Sequence, residues 1–329
     1  MVEKTESFNE IEEVWNELYR GNKLAKYYQS SEYMRTSWEN LAPYRFILRV
    51  KPVFYIFSQD KKAIFILPLF KEIFRNKYVL YGRKAGLGYL DGIYRDNISI
   101  DDITKCFDAL KTKVQGISID VEHVRESVPF GKWLLKNGGR ISEEGCTELM
   151  LPDSYEDYYG SLSKHMKQNI RTAYNRLKTD KGEFEIQYYD YTDMPDELYA
   201  KLQGMYIDRQ VIKYGKSGLY SFFVKYVDLG TKIQKAKKIK EKAFVLYING
   251  KIAAFYDAIY DERETVIVPR LAIADGFNRY SPGVMLINES IKTLIEGGIK
   301  CVDLTHGTEP YKLSMGGISH KCVEGEIKL

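Results

Sequence analysis

The sequence has few cysteines and no long apolar run. Its four cysteines, Cys106, Cys146, Cys301 and Cys322, lack the paired spacing of zinc sites. We therefore predict reduced thiols, no disulfide and no metal. No segment approaches the roughly 18 consecutive apolar residues of a membrane span, and the N-terminus has no apolar signal core. These absences predict a cytoplasmic protein without a transmembrane segment.

An excess of one charge sign is also missing. The 49 basic and 45 acidic residues leave a formal net charge of +4, which is too small to predict a nucleic-acid partner. The hydrophobic share of 44% and the charged share of 29% are typical of globular proteins and exclude disordered and fibrous classes. A length of 329 residues exceeds one ordinary core and predicts two domains, residues 1–150 and 151–329.

The most informative segment comprises residues 266–312. It contains a strand, the six residues 278–283, an amphipathic helix and a second strand. Ser281 is predicted to be the N-cap of this helix and Pro282 its first residue. A helix that begins after a strand directs its unpaired N–H groups at the carboxyl edge of the sheet, which predicts an anion site. An ordinary, well-capped strand-to-helix junction is the alternative.

A predicted meander precedes that helix. Residues 243–248 and 251–260 form a hairpin whose Asn-Gly turn, residues 249–250, is typical of type I′ geometry. The next strand, residues 265–272, contains Pro269, which cannot donate a hydrogen bond to a neighbouring strand. We therefore predict a bulge or an edge there, which separates this strand from its neighbour and leaves free backbone groups along a slot.

A meander, a disrupted fourth strand, this helix start and a diverging fifth strand resemble the acyl-CoA-binding half of the GNAT superfamily of N-acyltransferases. The common phosphate-loop pattern of that superfamily is Gln or Arg, two residues, Gly, one residue, then Gly or Ala. This chain has Asn278, Ser281 and Gly283 at those places. A more specific similarity is to the FemAB-like and cellulose-biosynthesis-associated (CelD-like) branch, on the order Tyr280-Ser281-Pro282-Gly283, Asp303-Leu304, Gly307 and Tyr311-Lys312.

The resemblance implies an α/β (α+β) fold with two tandem GNAT-like domains, each a mixed, mostly antiparallel sheet flanked by helices. In the first half, residues 46–50, 53–57 and 63–69 predict a comparable meander, but no such helix start follows. Residues 1–150 are therefore expected to be a degenerate domain that shapes an acceptor cleft, and residues 151–329 to bind the acyl-CoA donor. The expected donor site comprises Leu271, Ala272, Ile273, Asn278, Arg279, Tyr280, Ser281, Gly283 and Val284.

A basic stripe follows Ser163. Lys164, Lys167 and Arg171 share one side of a predicted helix, and an apolar set lies about 120° around from them. The apolar set comprises Met166, Ile170, Ala173 and Leu177. The stripe is predicted to bind an anionic acceptor such as a nucleotide-sugar or a lipid-linked diphosphate. An ordinary solvated helix face is the alternative.

Two further cations are predicted to bind substrate, namely Arg270 near the end of the disrupted strand and Lys312 after the fifth strand. Two other interpretations of Arg270 are a contact to CoA phosphate and an ion pair with an acidic residue.

Candidate catalytic groups cluster after the fifth strand. Acyl transfer to an amine needs a group that accepts the amine proton and one that protonates the departing thiolate. Asp303 and His306 are the candidate bases, and Tyr311 is the candidate acid. As alternatives, Asp303 caps the loop after its strand and Tyr311 is a packed amphipathic residue.

The predicted function is an N-acyltransferase that moves an acyl group from acyl-CoA, with acetyl-CoA preferred, to an amine of an amino-sugar or a cell-envelope polysaccharide precursor by direct attack on the thioester. The 27 tyrosines favour a glycan acceptor. Two alternatives remain: an aminoacyl-tRNA-dependent transferase acting on a peptidoglycan precursor, and a non-catalytic glycan- or phosphate-binding protein. The oligomeric state is left open between monomer and homodimer.

Overall fold

The computed structural model describes residues 1–40, 49–73, 77–81, 91–214 and 241–329. It divides the chain into two units, the first comprising residues 1–146 and 320–329 and the second residues 147–319. The last strand accounts for this division, since residues 322–328 pair with a strand of the first unit. The sequence-based division had assigned those residues to the second domain.

The first unit is a mostly antiparallel sheet with helices. Its strand order is β1-β2-β3-β4-β6-β16-β7, β5 pairs with β3, and β4 lies parallel to β6. The elements are β1 Val2–Thr5, α1 Glu12–Gly21, α2 Ser31–Asn40, β2 Val50–Gln59, β3 Lys62–Glu72, β4 Lys77–Leu80, β5 Ile93–Tyr94, α3 Ile100–Lys113, β6 Ser118–Arg125, α4 Pro129–Lys136, β7 Arg140–Ile141 and β16 Cys322–Lys328. The two strands predicted at residues 53–57 and 63–69 lie within β2 and β3, and residues 46–48 of the first predicted strand lie outside the described residues.

The second unit repeats this plan. The elements are β8 Cys146–Met150, α5 Tyr155–Ser161, α6 Lys164–Thr179, β9 Phe184–Asp190, α7 Asp196–Tyr214, β10 Glu241–Ile248, β11 Lys251–Asp261, β12 Thr265–Ile267, β13 Leu271–Ile273, α8 Pro282–Glu296, β14 Cys301–His306, α9 Pro310–Ser314 and β15 Ile318–His320. The strand order is β15-β8-β14-β12-β11-β10-β9, with β13 paired to β11 and β14 parallel to β12.

The sheet of the second unit is covered on both faces. Along β10, Phe244 and Leu246 pack with α6 and α8, whereas Ala243 and Val245 pack with Leu202 of α7. This alternation follows from the two-residue period of a strand and places α7 on the face opposite to α6 and α8. The apolar set predicted for α6 is buried, which confirms that prediction.

Pro269 interrupts the strand in which it was predicted to cause a break. β11 runs unbroken and pairs with β12 through Ile259–Asp261 and with β13 through Ala254–Tyr256. On this side of the sheet β14 pairs with β12 over Thr265 to Ile267 and not with β13, and its other neighbour is β8. A proline cannot donate to a strand partner, so the pairing stops there and β13 separates from β14. The predicted divergence of these two strands is therefore confirmed.

Candidate active site

A cavity of about 120 Å³ lies where β13 and β14 diverge. Residues 268–271 of the strand break form one wall, and residues 304–306 at the end of β14 form another. Glu309, Tyr311 and Lys312 line it from the segment after β14, and Tyr206, Arg209 and Gln210 line it from α7. The strand break predicted by Pro269 therefore brings together residues that are about 100 positions apart in the chain.

Two of the three predicted catalytic residues, His306 and Tyr311, line this cavity. Burial, followed by the negative charge of Glu309, raises the pKa of Tyr311 to about 12, although the positive charge of Arg209 opposes this shift. The phenol therefore keeps its proton at neutral pH. A protonated phenol beside a cavity is suited to donating a proton to a leaving group.

Asp303, the third predicted catalytic residue, lies behind the cavity wall. Its side chain is fully buried in β14, and it does not line the cavity. Its Oδ1 accepts the N–H of Thr305 at 2.8 Å. Thr305 has a φ of 59°, a left-handed conformation that is rare for a β-branched residue.

Arg270 lines the cavity but is held from behind by a buried network. Its guanidinium forms an ion pair with the fully buried Asp257. Its Nη1 donates to Gln203 Oε1 at 3.4 Å, and its Nη2 donates to Tyr191 Oη at 3.3 Å. The guanidinium also lies 4.8 Å from the ring centroid of Tyr206. Arg270 therefore joins β13 to β11 and α7, in agreement with the alternative of an acidic partner.

Lys312 is buried and bound to the chain segment before it. Its Nζ donates to the carbonyl oxygens of His306 at 2.7 Å and Gly307 at 3.2 Å. It also forms an ion pair with Glu309 Oε2 at 2.9 Å. The ammonium therefore holds the loop that carries His306.

Ser281 is the N-cap residue, as predicted, but the predicted hydrogen bond from its side chain is wrong. The α-helix does begin at Pro282, but Ser281 has a φ of 49° and its side chain makes no capping hydrogen bond. The preceding 3₁₀ turn, Asn278–Tyr280, brings the chain into the helix through a left-handed residue, which turns the Ser281 side chain away. The Ser281 carbonyl instead accepts the N–H groups of Val284 at 2.9 Å and Met285 at 3.1 Å.

Gly283 therefore carries the N–H group that remains unbound at this helix start. Pro282 has no N–H, and the N–H groups of Val284 and Met285 are bound to the Ser281 carbonyl. Within the described residues no hydrogen bond engages the Gly283 N–H, which lies at the positive end of a 15-residue helix. The site is suited to an anion, although with fewer donors than the sequence predicted.

The other predicted donor-site residues surround this helix start. Arg279 Nη2 and Tyr280 Oη donate to the carboxylate of Asp180 at 3.0 and 2.8 Å, which ties the 3₁₀ turn to the end of α6. Ile273 packs against Gly283, where a Cβ atom would lie 3.1 Å from its Cδ1. The remaining residues differ in position: Leu271 lines the cavity, Val284 is half-buried, Ala272 packs on the α7 face and Asn278 is exposed.

The basic stripe on α6 does not reach the cavity. Lys164 is exposed, Lys167 Nζ donates to the carbonyl of Gly160 at 2.6 Å, and Arg171 Nε donates to the carbonyl of Lys167 at 3.3 Å. The cavity-lining cation that sequence reasoning missed, Arg209, comes from α7 instead. No motif marks Arg209 among the basic residues, and only the fold places it beside the break.

Residues 164–313 match the family model of the acetyltransferase (GNAT) domain. This segment is a GNAT domain. It contains the strand break, every residue that lines the cavity and the helix start at Gly283. A search of curated proteins finds no match.

Solved structures show the same fold over nearly the whole chain. FemX is 10% identical with a TM-score of 0.58, and 98% of this chain and 96% of that chain are covered. The C-terminal domain of a putative lysylphosphatidylglycerol synthetase from Agrobacterium fabrum is 11% identical with a TM-score of 0.55, over 97% and 92%. A conserved protein of unknown function from Bacteroides thetaiotaomicron is 14% identical with a TM-score of 0.53, over 100% of both chains. The predicted resemblance to GNAT acetyltransferases and the predicted fold class are confirmed.

No helix among the described residues is both long enough and apolar enough to cross a bilayer. No group of three or more His, Cys, Asp and Glu side chains among them has an arrangement that fits a metal ion.

Proposed function

We propose that the protein transfers an acyl group from acyl-CoA, with acetyl-CoA as the preferred donor, to the amine of an anionic small acceptor such as an amino-sugar phosphate or a cell-envelope precursor. The observation that carries this proposal is the cavity at the Pro269 break, inside a GNAT domain, with a protonated Tyr311 and His306 in its walls. The GNAT match supports acyl transfer, and the donor and acceptor are inferred from the site.

The strand break supports a thioester site. β13 has a strand partner on one side only within the described residues, so its main-chain groups on the other side have no strand partner, and Leu271 at its start lines the cavity. Such groups hydrogen-bond to an extended amide chain in the way that an added strand would. The diphosphate of the donor is assigned to the Gly283 N–H at the start of α8, on the face of the sheet opposite to α7.

The reaction proceeds by direct attack. The amine nitrogen bonds to the thioester carbonyl carbon and the carbon–sulfur bond breaks. His306 accepts a proton from the attacking amine, and the Tyr311 hydroxyl gives its proton to the departing thiolate. A phenol with a pKa near 12 remains protonated until the thiolate forms.

Arg209 supports an anionic acceptor. Arg270 is paired with Asp257 and Lys312 with Glu309, whereas no described residue forms a hydrogen bond or an ion pair with Arg209. The cavity therefore has one cation without a compensating carboxylate. A guanidinium fits a carboxylate or phosphate through two parallel hydrogen bonds. The stripe formed by Lys164, Lys167 and Arg171 remains a second predicted anion site, outside the cavity.

Calorimetric titration tests the donor assignment. We expect acetyl-CoA to bind in the micromolar range and CoA to bind with similar affinity, because the diphosphate is common to both. A bulk aminoacyl-tRNA preparation is the comparison ligand. Tight tRNA binding without acetyl-CoA binding would support the aminoacyl-tRNA alternative, and binding of neither would support the non-catalytic alternative.

A further inference from the structure

We infer that Asp303 and Lys312 are positioning residues that hold residues 305–307, where β14 ends, in a strained shape, and that neither touches the reacting atoms. The kinetic part of this inference rests on the proposed function. We call this segment, which begins within β14, the loop; its residues Thr305 and His306 line the cavity. Thr305 and Gly307 both have positive φ angles, 59° and 100°.

The strain is concentrated at Thr305. A left-handed backbone brings the Cβ atom close to the carbonyl oxygen, and a β-branched side chain makes this crowding worse. Such a residue persists only where its surroundings fix it. The fully buried Asp303 provides this fixation, because its Oδ1 accepts the Thr305 N–H at 2.8 Å.

Two further contacts fix the following residues. Lys312 Nζ donates to the carbonyl oxygens of His306 and Gly307 at 2.7 and 3.2 Å. Thr147 Oγ1 donates to the same Gly307 carbonyl at 2.9 Å. Each residue of the loop is therefore bound through its main chain, which holds His306 in the cavity wall. Asp303, predicted to be catalytic, and Lys312, predicted to bind substrate, thus both hold the main chain of this loop in place.

Replacement of Asp303 distinguishes positioning from base catalysis. In Asp303→Asn the side-chain amide oxygen still accepts the Thr305 N–H, so we expect this variant to keep kcat within about threefold of the original enzyme. Asp303→Ala should lower kcat by about tenfold or more with the KM for acetyl-CoA within about twofold. The assay follows CoA release from acetyl-CoA with glucosamine 6-phosphate and glucosamine as acceptors. Equal losses in the Asn and Ala variants would identify Asp303 as the base and overturn the inference.

A second substitution tests the strain itself. Glycine adopts positive φ without steric cost, so adding Thr305→Gly to the Asp303→Ala variant should raise the kcat of that variant by at least about fivefold. Thr265 is a matched control, because it is also a strand threonine of this sheet, is 8% exposed like Thr305 and has no positive φ. Thr265→Gly should lower the unfolding midpoint, whereas Thr305→Gly should lower it less or raise it.

The unfolding measurement does not require activity. Urea unfolding of the single and double variants at positions 303 and 305 should give a clearly non-additive cycle, because the glycine removes the need for the Asp303 contact. Additive effects would overturn the inference even in an active enzyme. A coupled cycle in a protein that fails to bind acetyl-CoA would instead sustain the loop assignment and reject the proposed function.

Discussion

At the scale of single residues, the site depends on which polar side chains already form hydrogen bonds or ion pairs with other residues of the protein. Arg270 and Lys312 are each bound within the protein, while Arg209 and Tyr311 line the cavity without an ion-pair partner among the described residues. The residue types therefore indicated the kind of chemistry, but they did not indicate the role of each residue. A sequence lists the cations, but only the fold shows which of them are already paired.

Tyr311→Phe tests the proton donor. The substitution removes the hydroxyl and keeps the ring, so kcat should fall by about tenfold or more while the KM for acetyl-CoA changes little. Since the Tyr311 pKa is about 12, the phenol is protonated at every lower pH, and no loss of activity from its ionisation is expected between pH 7 and about 10. Steady-state CoA release across this pH range measures both the fall in kcat of the variant and the pH dependence of the original enzyme. Tyr260→Phe, outside the cavity, is the control, and near-native turnover in Tyr311→Phe would place the acid elsewhere.

Arg209→Gln tests the anion site on α7. Loss of the guanidinium should raise the KM for glucosamine 6-phosphate by about tenfold and leave the KM for glucosamine and the affinity for acetyl-CoA nearly unchanged. Lys201→Gln is the matched control, because Lys201 is an exposed cation on the same helix that does not line the cavity. An equal effect on both acceptors would contradict the assignment. A larger effect from Lys164→Ala with Arg171→Ala would return the anion site to α6.

At the scale of elements, local sequence rules predicted the structure correctly wherever backbone geometry alone determines it. The Asn-Gly turn has φ angles of 49° and 71° at Asn249 and Gly250, as a type I′ hairpin requires. Pro269 breaks its strand because it lacks a donor, which depends on no distant residue. Ser281 shows the limit of such rules, since a serine before Pro-Gly is a good N-cap until a preceding 3₁₀ turn forces it into a left-handed shape.

The Asp257–Arg270 pair fixes the position of the strand break. The Asp257 N–H donates to the Arg270 carbonyl at 3.0 Å, and its carboxylate accepts from the Arg270 side chain, so β11 binds the break through both backbone and side chain. Asp257→Ala leaves a buried guanidinium unpaired and should lower the free energy of unfolding by about 3–5 kcal/mol. Urea unfolding provides the measurement.

A matched exposed pair makes this prediction specific. Arg279→Gln removes the ion pair with Asp180, in which Arg279 is 60% exposed, and should cost less than about 1 kcal/mol. The double variant Asp257→Leu with Arg270→Met removes both buried charges and should recover much of the stability lost in Asp257→Ala. Similar costs at the buried and the exposed pair would contradict a structural role for Asp257.

At the scale of the whole molecule, the chain crosses from one unit to the other twice. Composition and length predicted two domains, and each unit has its own mostly antiparallel sheet. The return of β16 to the first unit was not predictable from the sequence. A strand such as Cys322–Lys328 carries the period-two pattern of any half-buried strand, and nothing in that pattern selects its partner.

Deletion of residues 322–329 tests the contribution of β16 to the first unit. Cys322, Val323 and Ile327 are buried, and β16 lies between β6 and β7, so its removal leaves β7 without this partner and β6 paired with β4 only. Burial of one aliphatic side chain contributes about 1.5–3 kcal/mol, so the first unit should unfold at a clearly lower urea concentration. Hydrogen exchange should show β6 losing protection while β10 and β11 keep theirs, because the deleted residues belong to the first unit alone. Equal loss of protection in both sheets would mean that the two units unfold as one cooperative body, and unchanged protection of β6 would mean that β16 adds nothing to the sheet that it completes.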